Sequence, residues 1–268
     1  MRILITNDDG VQADGLFALQ AALKTIGEVT IVAPERQQSA TGHAITLHKP
    51  LRLSETTLRD GTRAFMSNGT PSDCATLGVL EAMGEDVDLV VSGINRGPNL
   101  GWDVHYSGTV SAAIEASVIG KPSFAISVAS YDDPFHWQGA AQFAARFALW
   151  LAEHPLPPYC IVNVNVPNLP HDEIRGIRVT TQGRRQYVDR IEKRTDPQGR
   201  AYYWLGGSLA QEAAGAEPGC DVRAVADGYV SLTPIHLDMT AFDLTAHLHE
   251  WEQEAKVLPG GALPFLIG

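Results

Sequence analysis

Cysteine is scarce in this chain. Cys74, Cys160 and Cys220 are far apart and odd in number, and no C-x-x-C occurs. Neither a disulfide framework nor a thiolate zinc site is therefore indicated. Long apolar runs are missing too: nothing approaches the roughly 18 residues a membrane-spanning helix needs. The N-terminus lacks the basic and apolar regions of a signal peptide, because strand residues begin at Ile3 and acids follow at once. A soluble, cytoplasmic protein is expected. Positive charge is also short, with a formal net charge of −11. That argues against a non-specific binder of nucleic-acid polymers, which needs a basic face. It does not exclude a small anionic substrate, because a bound cation reverses the potential locally. No G-x-S-x-G elbow and no Walker loop is present, which weakens those hydrolase and nucleotide-binding readings. The histidines are scattered, and His247 and His249 are spaced to face different sides of a helix.

What the chain does have is 268 residues, 44% of them hydrophobic, enough for one large α/β domain or two small ones. Ile3-Leu4-Ile5 reads as a buried parallel strand that stops at Asn7-Asp8-Asp9-Gly10. A helix is predicted over 15–26 and a second short strand over 29–33, so a right-handed crossover follows. Residues 35–42 (ERQQSATG) form a polar loop, and 44–53 and 63–67 read as extended. Thr70-Pro71-Ser72-Asp73 carries helix-start signals for a helix to about Met83. Residues 88–92 are a buried strand, and 93–106 a loop rich in Gly and Asn. Ser107-Gly108-Thr109 opens a helix that ends at Gly120. Strands at 123–129 and 160–166 flank a helix over 138–152. This alternation predicts a doubly wound, Rossmann-like, mostly parallel sheet. Residues 178–205 then read as a long β-hairpin with a turn at Asp196–Gly199, aromatic enough that its exposed edge needs a partner. A strand over 227–235, a helix over 238–250 and an apolar, unperiodic tail from Val257 to Gly268 complete the chain.

The chemistry is concentrated at strand ends. Asp8 and Asp9 are adjacent carboxylates at the end of the first strand, where open α/β sheets bind ligands. They suit a hard divalent cation, although Asn-Asp-Asp-Gly is equally good turn chemistry. Ser107-Gly108-Thr109 is a helix N-terminus of the kind that holds phosphate, or a plain hydroxyl cap. Asn95 and Asn99 can offer a carbonyl to a metal or an amide to a phosphate, or can serve as turn residues. On the residues alone, Ser39 is a loop hydroxyl.

ILITNDDG at 3–10, APERQQSATGHAIT at 33–46, NGTPSDC at 68–74 and SGINRGPNLGWDVHYSGTVSAAIEA at 92–116 together resemble the SurE family of metal-dependent nucleotidases, and DGYVSLTPIHLDMT at 227–240 is similar to it as well. The resemblance implies one divalent cation per subunit (Mg²⁺, Mn²⁺ or Ca²⁺, with Mn²⁺ or Mg²⁺ expected for activity) held by Asp8, Asp9, Ser39 and Asn95. It implies phosphate contacts from Asn95, Asn99, Ser107, Gly108 and Thr109. It also implies hydrolysis of nucleoside 5′- and 3′-monophosphates, and of short polyphosphate, by a metal-activated water, with Asp8 or Asp9 orienting that water or taking its proton. The organisation implied is an α/β core over 1–180, a protruding β-hairpin arm over 181–206 and a completing segment over 207–268. Such chains assemble as dimers or tetramers that exchange C-terminal segments, with no nucleic-acid polymer and no membrane as partner. Two rival readings share the α/β frame. An aspartyl-phosphate phosphatase needs a second acid two residues after its nucleophile, where Gly10 stands. A non-catalytic nucleotide-binding regulator would share the frame without turnover.

Overall fold

The computed structural model describes residues 1–184, 187–209 and 216–256. Among these, β1 (Arg2–Thr6) is the middle of the architecture. It pairs in parallel with β2 (Glu28–Pro34) on one side and β5 (Leu89–Arg96) on the other, with Ile3 opposite both Val29 and Leu89. Beyond β2 lie β4 (Arg63–Ser67) and, antiparallel to it, the edge strand β3 (Leu53–Thr57). Beyond β5 lie β6 (Ser123–Val128), β7 (Cys160–Val166), β11 (Val230–His236) and β8 (Ile177–Val179). The sheet is mostly parallel and covered on both faces, as the continuous apolar runs of β1, β5 and β6 require.

Alternation along β1 sorts the two layers. Ile3 and Ile5 join a core with α1 (Asp14–Leu23) and α4 (Trp137–Glu153), where Phe124 of β6 meets Phe147 edge to face at 5.2 Å. Leu4 points to the other face, among Val32, Cys74, Val79 and Ala116, under α2 (Pro71–Leu77) and α3 (Gly108–Val118). Thr70 and Asp73 cap α2 reciprocally, as the sequence predicts. The chain reverses its direction of winding between β1 and β5, so their carboxyl ends open a crevice together.

Several boundaries differ from expectation. Residues 44–52 carry no strand; they are tied down by Thr46 N–H on Asp73 (3.0 Å) and by Arg52 N–H on the Asn68 side chain (2.9 Å). The helix α2 gives way after Leu77 to a π-helical turn, Gly78–Ala82, at the point where a Cβ on Gly78 would lie 2.5 Å from Leu4. The predicted hairpin is divided: Ile177–Val179 pairs with β11 in the main sheet, and the arm itself is β9 (Tyr187–Thr195) with β10 (Ala201–Leu209). A short helix, α5 (Asp221–Ala226), was not foreseen. The chain divides into two units, Met1–Ile235 and His236–Gly268. The second contains α6 (Phe242–Lys256), with Phe242, Leu244, Leu248 and Trp251 exposed. The expected apolar tail at 257–268 lies outside the described residues, as do 185–186 and 210–215. No described helix is long and apolar enough to cross a membrane.

Candidate active site

The turn after β1 is made by Asn7 and Gly10, not by the aspartates. The Asn7 amide donates to Gly10 O (2.9 Å) and its carbonyl accepts Gly10 N–H (3.2 Å), with Gly10 at φ +98°. The flanking residues thus form the turn, and neither aspartate side chain takes part in it.

Asp8 is 5% exposed. Its carboxylate lies against the N-terminus of α3, where it receives the Thr109 hydroxyl and the Thr109 backbone N–H. Gly108 makes that approach possible, since a Cβ there would be 2.8 Å from Asp8 Cβ and 3.0 Å from Pro71 Cγ. The positive end of the helix therefore faces Asp8. Burial nevertheless pushes the Asp8 carboxyl up to about 6, aided by the charge of Asp9, with the Thr109 hydroxyl opposing. Asp9 is also raised by burial, against the opposing Arg96 N–H that it accepts at 2.9 Å. The Gln37 amide donates to Ser39 Oγ (2.8 Å) and stands 3.5 Å from Asp9 Oδ1, linking the β2 loop to the acids.

Asn95 sits where the β5–β6 register slips between Ser92 and Asn95. Its amide N–H is committed to Gly97 O (2.8 Å), which leaves the carbonyl oxygen for the cleft. Asn99 is the most firmly held of the group. Its side-chain amide donates to Ser127 Oγ (2.7 Å) and its backbone N–H to Asn165 Oδ1 (2.9 Å). Its backbone carbonyl accepts from Asn163 (2.7 Å) and Asn165 (3.0 Å). Ser107 Oγ caps α3 by accepting Val110 N–H at 3.1 Å, so the hydroxyl hydrogen is the part of it left to a ligand.

Asp8, Ser39, Asn95, Asn99 and Ser107 line one cleft of about 680 Å³. Gly108 and Thr109 stand behind Asp8, while Asp9 borders an adjoining cavity of about 240 Å³ with Gln37 and Arg96. Sequence reasoning missed Gln37, Arg96, Ser127, Asn163 and Asn165, which orient the others. It also missed Trp102, Tyr106 and Tyr131 at the mouth. The only signal for the asparagines was polar residues at alternate positions of a buried strand (CIVNVNV).

The donor set suits a hard cation. All four candidate groups are oxygens, and both carboxylates are raised by burial, with the charge of Arg96 opposing that rise at Asp9. The nearest guanidinium, that of Arg96, is engaged by Asp133 (3.1 Å) and Tyr131 O (3.3 Å). No group of three or more His, Cys, Asp or Glu is present among the described residues, so such a site depends on the Ser and Asn oxygens.

A doubly wound α/β protein with an acidic, oxygen-lined crevice at its switch point is the class that this geometry defines. The chain belongs to the SurE family: the family model described as survival protein SurE matches residues 3–189. It is 48% identical over 252 residues to a 5′-nucleotidase SurE of Geotalea daltonii, covering 94% of this chain and 99% of that one. The corresponding protein of Geobacter sulfurreducens is 46% identical over 267 residues, covering 98% and 100%. The crystal structure of the SurE protein from Aquifex aeolicus superimposes with a TM-score of 0.82 at 39% identity, over 94% of this chain and all of that one.

Proposed function

We propose that this chain is a 5′-nucleotidase, a phosphoric monoester hydrolase that releases phosphate from nucleoside 5′-monophosphates, with 3′-monophosphates and short polyphosphate as further substrates. The observation that carries the reading is the buried Asp8 carboxylate, seated on the α3 N-terminus in one cleft with Ser39, Asn95, Asn99 and Ser107. Asp8, Asp9, Ser39 and Asn95 would hold one divalent cation, Mn²⁺ or Mg²⁺ for activity. Such a cation supplies Lewis-acid polarisation of a phosphoryl oxygen and lowers the pKa of a water.

This chain's own residues do the positioning on which a largely metaphosphate-like transition state depends. Asp8, oriented by Thr109, or Asp9, oriented by Arg96 N–H, accepts the proton of the attacking water. A new bond forms from that water to phosphorus, the ester P–O bond breaks, and the ribose oxygen leaves and takes up a proton from solvent, while the protonated carboxyl returns its own to water. Ser107 and Asn99, with the α3 N-terminus, face the non-bridging oxygens. The protein works in the cytoplasm as a dimer or tetramer. The aromatic hairpin and the exposed apolar side chains of α6 support that assembly. Dialysed protein should release phosphate from adenosine 5′-monophosphate when Mn²⁺ is added and stop when a chelator is added. Absence of release in every metal tested would overturn the proposal and favour a non-catalytic nucleotide binder.

A further inference from the structure

Four buried polar residues of the cleft, Asp8, Asn95, Asn99 and Ser107, make its floor, and exposed aromatic rings stand at its rim. Trp102, Tyr106 and Tyr131 line the same cavity as Asp8 and Ser39, and they are 48%, 68% and 61% exposed. Large rings left this open around one opening are costly in water and informative about what covers them. Two of the three are firmly built in.

Tyr131 lies on the backbone of Gly97. Gly97 has φ +116°, and a Cβ there would come within 2.6 Å of the Tyr131 ring. The Arg96 guanidinium donates to Tyr131 O at 3.3 Å and to Asp133 at 3.1 Å, and it stacks on Phe135 at 4.9 Å. The loop after β6 is thereby clamped to the end of β5, which holds the Tyr131 ring at the cavity. Trp102 belongs to a 3₁₀ turn, Gly101–Tyr106. That turn is anchored at both ends. Gly101 N–H donates to the buried Asp221 carboxylate (2.7 Å), Gly101 O accepts from Gln182 (3.0 Å), and Tyr106 O accepts Gly42 N–H (3.0 Å).

We infer that Trp102 and Tyr131, with Tyr106 beside them, form the slot that takes the base of the nucleotide and so set the enzyme's substrate class. This rests on the nucleotidase reading and extends it to specificity. A phosphate on the floor puts the remainder of a nucleoside monophosphate at the mouth, and a base has two apolar π-faces to offer these rings. The Tyr106 and Tyr131 hydroxyls and the Trp102 indole N–H can add hydrogen bonds to a base edge, but ring faces are the larger part of what these side chains offer. Recognition by faces tolerates base identity, favours the larger purine surface and rejects phosphate esters that carry no base.

The test compares wild type with Trp102→Ala, Tyr131→Ala and Tyr131→Phe, using adenosine 5′-monophosphate, uridine 5′-monophosphate and ribose 5-phosphate with Mn²⁺. Each alanine variant should lower the ratio of kcat/KM for the adenine nucleotide over ribose 5-phosphate about ten-fold, chiefly through KM, and Tyr131→Phe should restore it. An unchanged ratio in both alanine variants overturns the slot while leaving the nucleotidase intact. Equilibrium dialysis with adenosine, which has no phosphate, separates the two readings. If no ester is turned over at all, the nucleotidase reading falls. Adenosine retention lost on Trp102→Ala and Tyr131→Ala would still support the slot, and equal retention by all variants would overturn it.

Discussion

Asp8 carries the site's cost. A carboxyl raised from 3.8 to about 6 binds a proton more readily in the folded chain than in the unfolded one. Its favourable contribution is present below pH 3.8 and is lost as the pH rises through about 6. In the metal-free protein at pH 7, Asp8→Asn should therefore raise stability, by on the order of 3 kcal/mol if the shift is expressed fully. Thermal melts with and without chelator check this: Mn²⁺ should raise the melting temperature of wild type and leave Asp8→Asn nearly unmoved, while that variant loses metal-dependent turnover. Equal Mn²⁺ stabilisation of both proteins would remove Asp8 from the ligand set. Thr109→Val deletes the hydroxyl that orients the carboxylate, and kcat should fall at least ten-fold with the circular dichroism spectrum unchanged. Gly108→Ala forces a methyl group into the space of Asp8 and Pro71. Activity and melting temperature should fall together, and a fully active Gly108→Ala would contradict the close seating of Asp8 on the helix.

At the scale of elements, the loop bearing Ser39 is held in place by contacts some residues downstream. His43 pairs with Glu115 of α3 at 2.7 Å, and Thr76 of α2 donates to the same carboxylate at 3.2 Å. The hydrogen bond from His43 holds the Glu115 carboxyl below its usual 4.5. The folded chain thus binds fewer protons there than the unfolded one, and the stabilisation present above pH 4.5 fades as the pH falls through the lowered value. Glu115→Gln should flatten the acid limb of the stability curve by on the order of 1 kcal/mol, the partial exposure of His43 limiting the effect; an acid limb as steep as wild type's would refute the link. How legible such elements were depended on the range of the forces that make them. Local signals foretold β1, the α2 cap and the α3 start, because apolar runs and Thr-Pro-Ser-Asp act within a turn of chain. The acids and the Gly-Asn loop could be recognised as candidates for the same reason. The role of Gln37, the Asn99–Asn163–Asn165 cluster and the break of α2 at Gly78 were not legible. Each depends on a partner far along the chain, as with Gly78 against Leu4.

At the scale of the whole molecule, the hairpin is the element with the least internal reason to exist. Among the described residues, β9 and β10 pair only with each other, and Ile191, Tyr203, Trp204 and Leu205 are exposed. A two-stranded ribbon with that surface is marginal alone. Deleting 187–209 should lower the mass measured by light scattering from a multiple of the 28.9 kDa protomer toward the protomer itself, and an unchanged mass would show that assembly does not use the arm.

The buried Asp221 gives these two regions a common anchor. Its Oδ1 accepts the N–H of Gly183, just before the arm, and its Oδ2 accepts the N–H of Gly101, at the cleft wall. A Cβ on Gly183 would already stand 2.9 Å from that carboxylate. The tip is different. Asp196 closes the turn by accepting from Gln198 and Arg200, each at 2.9 Å, both within four residues of it. For anyone attaching a fluorophore or an affinity tag, the two positions are therefore not equivalent. A label at 197–199 sits on a turn closed by its own residues, whereas one at 183 crowds the Asp221 carboxylate that also holds Gly101 at the cleft wall.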